Sequence, residues 1–170
     1  MQFPVDASYV PDAGASYKVV FSISGASQDD KALHSALQRV ARAVNLYCMS
    51  GVPLDHLEFS AVIHGAATTC ILADIAYQRR HGIANPNAKI IDALLAVGVE
   101  LTVCAQALHG NNIPADERRS GVTLALAALT ALPILQQEGY SLMNLSPVSR
   151  YYGGTRLSGD RKTMSAACCK

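Results

Sequence analysis

The side chain best placed for covalent chemistry is Cys104, in the segment VCAQAL. Small residues follow it, and a helix starting there turns its first backbone N–H groups toward the sulfur and favours the thiolate. A thiolate is the form that attacks sulfane sulfur. The opposite reading stays open, because a buried cysteine also packs as an inert small hydrophobe. His64 has two roles of the same kind: as an imidazolium it lowers the pKa of a nearby thiol, and as a neutral ring it satisfies a backbone carbonyl at a strand end. Gly65, Ala66, Ala67 and Thr68 form a small-residue run leading into a helix, a setting that admits an anion to a helix N-terminus. Gly65, Ala66, Thr68 and Gln106 are therefore the candidate ligand-binding residues. Cys70 and His109 are minor candidates. Cys70 is able to relay sulfur, but Ile71, Leu72 and Ala73 beside it favour core packing, and His109 falls five residues past Cys104, an awkward spacing for one helical face. Cys168 and Cys169 read either as thiols able to reach a disulfide partner or as plain exposed thiols.

Other chemistries find little support. The five cysteines form no CxxC pair and no zinc ligand set, so neither a disulfide framework nor a metal site is expected. The absence of GxGxxG and GxxxxGK[ST] leaves a nucleotide without specific support, and no cofactor is expected. There is no G-x-S-x-G elbow. Asp74, Asp92 and Asp116 fall on a helix, a helix and a loop, with no spacing that pairs them. The net charge is +1, and the basic residues gather only in the pairs Arg79, Arg80 and Arg118, Arg119, which argues against nucleic-acid binding. No apolar run is long enough to span a bilayer. The first residues lack a basic segment followed by an apolar run, so the expected compartment is the cytoplasm, or the periplasm if a leader has been removed. Apolar residues make up 50% and charged residues 16% of the chain, against about 25% charged in ordinary soluble domains. Such a balance hides surface between subunits, and a homo-oligomer is expected.

The elements that must position these residues follow from periodicity. YKVVFSI, residues 17–23, is short and rich in β-branched and aromatic side chains, hence a buried strand. Residues 1–16 precede it as an extended arm. Ser27 and Asp30 resemble a capping box, and Leu33, Ala36, Leu37, Val40, Val44 and Tyr47 recur at helical spacing until Gly51 and Pro53. A second strand covers residues 57–63 and closes on His64. A helix of about four turns is expected over residues 68–81, with Gly82 as its cap. Asn85 and Pro86 then signal another helix start, with Ile90, Ile91, Leu94 and Leu95 as its apolar face. Residues 99–104 form a third strand, and residues 105–109 turn away as a helix. Residues 111–121 read as a surface loop. Residues 122–137 read as a helix apolar on nearly every side, kinked or broken at Pro133, and residues 140–145 supply a last strand.

Alternation of strands and helices predicts an α/β fold with a mostly parallel sheet covered on both faces, and places the site beyond the carboxyl ends of the strands. His64 and Cys104 then share one rim. Residues 17–146 make up the domain, and residues 147–170, without periodicity, a flexible tail.

The stretches YKVVFSIS, AVIHGAAT, HGIANPNAKIIDALLAVGVELTVCAQAL and ALTALPILQQEGYSLMNL together resemble the DsrE/DsrF-like family, VCAQAL and HGIANPN being the most specific parts. The resemblance implies a flavodoxin-like or Rossmann-like sheet of about five strands. It also implies a trimer or hexamer, and an acceptor cysteine at the position of Cys104 that takes sulfur as a persulfide from a donor protein and hands it to an acceptor protein. Two functions are thus carried forward: a sulfur carrier or sulfurtransferase acting through Cys104, and a non-catalytic module holding a small ligand or anion at the sheet rim with Cys104 structural.

Overall fold

A computed structural model describes residues 7–27 and 29–145. The first six residues of the expected arm and the segment holding Cys168 and Cys169 lie outside the described residues.

Five strands, β1 (Tyr17–Ile23), β2 (Leu57–Ile63), β3 (Glu100–Cys104), β4 (Thr123–Ala125) and β5 (Ser141–Asn144), form one sheet in the order β4-β3-β2-β1-β5. Every neighbouring pair is parallel. The three central strands are buried over most of their length, as continuous apolar runs require, while β4 and β5 are short, largely exposed edges.

Alternation along the strands divides the core. Val19, Phe21, Ile23, Phe59, Ala61, Ile63, Leu101 and Val103 point to one face. There they meet α1 (Ser35–Met49) through Leu37 and Val40, and α3 (Ala88–Ala96) through Ile91 and Leu94. The rings of Phe21, Phe59 and Tyr47 pack edge to face across this layer, with centroids 5.5 and 5.3 Å apart. Val20, Val62 and Cys104 point to the other face, where the cover is α5 (Ala128–Gln137).

Several local expectations are corrected. The helix after β1 starts at Ser35, not at Ser27, whose hydroxyl donates to the carbonyl of Asp29. His34 is the cap: its Nδ1 accepts from the N–H of Ala36 at 3.3 Å and its Nε2 bonds the carbonyl of Gly25 at 2.8 Å, while its backbone N–H reaches Asn87 Oδ1 at 2.7 Å. The cap was chosen by partners far along the chain, so the local Ser27 signal lost.

The expected helix over residues 68–81 divides into a 3-10 helix, Gly65–Ile71, and α2, Asp74–His81, capped by Gly82 in the left-handed region. Between them the backbone is claimed from outside: Asn85 Nδ2 donates to the carbonyls of Cys70 and Leu72, Arg119 N–H to Ile71, and Ala73 N–H to Glu117. Asn85 is buried in that task, and the helix it was expected to cap starts three residues later, at Ala88.

Residues 122–137 are not one helix. Thr123–Ala125 pairs with β3 as β4, where Thr102 and Thr123 hydroxyls meet at 2.6 Å. The chain breaks at 126–127, and α5 then continues through Pro133 to Gln137. The one bond Pro133 cannot donate would go to Leu129, whose side chain is 84% exposed. Asp74 and Asp92, expected to stay apart, both meet Arg119, Asp92 through two contacts of 2.7 Å and Asp74 at 3.3 Å. The guanidinium holds the Asp92 carboxyl below its ordinary range, so the cluster is an ion-pair clasp on the loop and not an acid and base couple.

Candidate functional site

The pairing of Ile63 with Val103 sets His64 beside Cys104 one residue further on, at the carboxyl edge of the sheet. Both line a cleft of about 300 Å³. Gly65, Gln106 and Ala107 complete its sheet side, and Leu129 and Leu132 of α5 stand opposite. No Asp, Glu, Lys or Arg lines it among the described residues.

Cys104 is the N-cap of α4 (Ala105–Gly110), and its Sγ accepts from the N–H of Ala107 at 3.4 Å. The residue is 5% exposed, so reagents reach it through the cleft alone. His64 is half-buried, and burial pushes its imidazole below the ordinary histidine value. Burial thus disfavours the imidazolium form and favours the neutral ring. Its Nε2 lies 3.0 Å from Ser22 Oγ.

Gly65 turns the chain at φ +56°, where a Cβ would come within 3.0 Å of the carbonyl of Ser24, so glycine is required for both reasons. The other members of the small-residue run leave the cleft. Ala66 is exposed and gives its N–H to Ser24, Ala67 gives its own to His64, and Thr68 is fully buried, its hydroxyl donating to the Gly65 carbonyl at 3.0 Å. The N–H groups of Ala66 and Ala67 at that turn are thus taken by backbone carbonyls. Gln106 stays at the cleft, exposed. Cys70 belongs to the opposite core layer, where burial pushes its thiol up to about 12. His109 is exposed on α4 and outside the cleft lining.

Two contributors escaped the sequence reading. Asn111 Nδ2 donates to the carbonyls of Gly65 and Ala107 and to Thr68 Oγ1, at 3.0, 2.8 and 3.0 Å, and so ties the turn after β2 to the end of α4. Its signal was an Asn directly after a helix. Ser22 is 6% exposed, and its signal was a hydroxyl within an otherwise apolar strand. Among the described residues no cluster of His, Cys, Asp or Glu is arranged to hold a metal, and no helix is long and apolar enough to cross a membrane.

A five-stranded, all-parallel α/β sheet with a thiol capping the helix after its third strand defines the class. The chain belongs to the DsrE/DsrF-like family, which it matches over residues 17–145. Solved structures share the fold, two of them as follows. A protein of unknown function from Methanobacterium thermoautotrophicum, MTH1491, superposes with a TM-score of 0.59 at 17% identity, over 76% of this chain and all of that one. The YchN protein of E. coli superposes with a TM-score of 0.55 at 18% identity, over 76% of this chain and 98% of that one. No curated protein sequence matches the chain.

Proposed function

We propose that the protein carries sulfane sulfur as a persulfide on Cys104 and passes it to a partner protein. The observation that carries this reading is the placement of Cys104 Sγ at a helix start, under an N–H donor, in a cleft shared with His64. Membership of a family generally related to sulfur relay supports it. In loading, the Cys104 thiolate attacks the outer sulfur of a donor persulfide; the donor's S–S bond breaks, a new one forms on Cys104, and the donor leaves as a thiolate. Unloading is the same exchange, with the acceptor's thiolate attacking the outer sulfur, so no oxidant is consumed.

Leu124, Leu126, Leu129 and Ile134, all on β4, α5 and the link between them, are exposed by 43 to 84%. That apolar strip, beside a short sheet edge, supports assembly of the chain with copies of itself, the family resemblance making the form a trimer or hexamer. The free thiols Cys48, Cys70 and Cys104 fit a reducing compartment, the cytoplasm.

The test is intact mass measured before and after incubation with a persulfide donor, wild type against Cys104→Ser. A sulfur-sized gain lost in the variant is expected. The competing reading, a small-ligand module with a structural Cys104, draws on the 5% exposure of that residue. It takes precedence if wild type gains no mass and its native thiol resists alkylation.

A further inference from the structure

We propose that Ser22 is a positioning residue for Cys104: by holding Nε2 of His64 it commits Nδ1 of the same ring to proton exchange with the Cys104 sulfur. The inference rests on the persulfide reading, which requires Cys104 to lose its thiol proton before it attacks.

The observations lie in three adjacent strands. Ser22 pairs with Val62 and Ile63 with Val103, so Ser22, His64 and Cys104 follow one another across β1, β2 and β3 on the α5 side of the sheet. A buried hydroxyl costs free energy unless it is hydrogen bonded, and the partner of Ser22 Oγ is the imidazole, at 3.0 Å. A neutral imidazole has one N–H and one acceptor nitrogen, and the bond made by one nitrogen decides the state of the other. Either group can donate in this bond; with Nε2–H as the donor to Ser22 Oγ, Nδ1 is the basic nitrogen.

The proton step then balances. The S–H bond of Cys104 breaks, its proton passes through one water in the shared cleft to Nδ1, and the sulfur is left as the attacking thiolate. The ring, now carrying two N–H groups, keeps donating Nε2–H to Ser22 Oγ, so the bond is stronger in the protonated ring than in the neutral one. When the donor leaves as a thiolate, Nδ1–H supplies its proton. No charged side chain among the described residues lines the cleft to take over this task, and the depressed proton affinity of His64 has burial as its only cause.

The experiment is the pH profile of Cys104 alkylation by iodoacetamide in wild type, Ser22→Ala and Ser22→Thr, with ¹⁵N NMR of the His64 ring in wild type. Ser22→Ala is expected to slow alkylation at pH 7 by about tenfold, since a hydrogen bond to a charged group is lost, and to move the midpoint to higher pH. Ser22→Thr should restore both, and the ring spectrum should show the Nε2–H tautomer. A wild-type profile in Ser22→Ala overturns the proposal, and so does an Nδ1–H tautomer, which is readable even if Ser22→Ala does not fold. Sulfur loading measured by mass separates the two levels: loading that depends on Cys104 but not on Ser22 keeps the persulfide reading and removes this one.

Discussion

The two faces of the sheet are built differently. One carries a continuous layer of large side chains, with Phe21, Leu37, Ile91, Leu94 and Leu101 fully buried or nearly so under α1 and α3. The other has α5 over Val20, Val62 and Cys104, meets them with Ala127 and Ala128, and buries the hydroxyl residues Ser22, Ser60 and Thr102. Ser60 Oγ has no hydrogen-bond partner among the described residues. Fully burying a large apolar side chain contributes about 1.5–3 kcal/mol, whereas an unpaired buried hydroxyl costs about 1–3 kcal/mol. Stability is therefore concentrated on the first face, and the second gives up packing for polar groups and a cleft. The candidate chemistry sits on the second.

This contrast breaks most directly by truncation. Phe21→Ala is expected to cost about 3–5 kcal/mol, and Leu132→Ala, on the half-buried α5 side, about 1 kcal/mol. Urea midpoints measure both, and equal losses would remove the asymmetry. Next in size is assembly. Leu129→Glu places a charge in the exposed strip of α5 and is expected to lower the mass seen by light scattering from an oligomer to a monomer, with the melting curve little changed. A monomeric wild type would instead make the strip a feature of the single chain.

The smallest effect is in pH. Burial is the leading cause that lowers the proton affinity of His34 on the first side, and the only one at His64 on the second. A histidine with a depressed folded-state pKa binds its proton more readily when unfolded. Its contribution is thus fully present above about 6.5, the unfolded value, and is lost as pH falls below it. Melting temperatures recorded from pH 8 to 5 should decline below pH 6.5. The decline should be shallower in His34→Asn, which keeps a capping side chain without the titrating ring. An unchanged slope would mean that His34 does not report on folding.

How much of this was legible beforehand depended on how locally each feature is specified. The three central strands and the faces of α1 and α3 were readable because period and side-chain type are properties of the chain itself, and so was the placing of His64 and Cys104 at strand ends. β4 was not, because three residues among apolar neighbours carry no periodicity; pairing with β3 makes Thr123–Ala125 a strand. The helix starts were misread for a related reason. Ser27 and Asn85 are good caps in isolation, but Gly25, Asn87, Cys70 and Leu72, brought near by the fold, offered or required other bonds. Asp74 and Asp92 met only because Arg119 lies between the helices that bear them. At the site, the residue types were set by the sequence: a cysteine before small residues, a histidine and a glycine after a strand. The register decided that His64 stands beside Cys104 and that Ser22 meets its ring, and the 3-10 helix Gly65–Ile71 that follows β2 buried Thr68 and Cys70 away from the cleft. Burial, which depends on everything packed around a group, lowers the proton affinity of that ring.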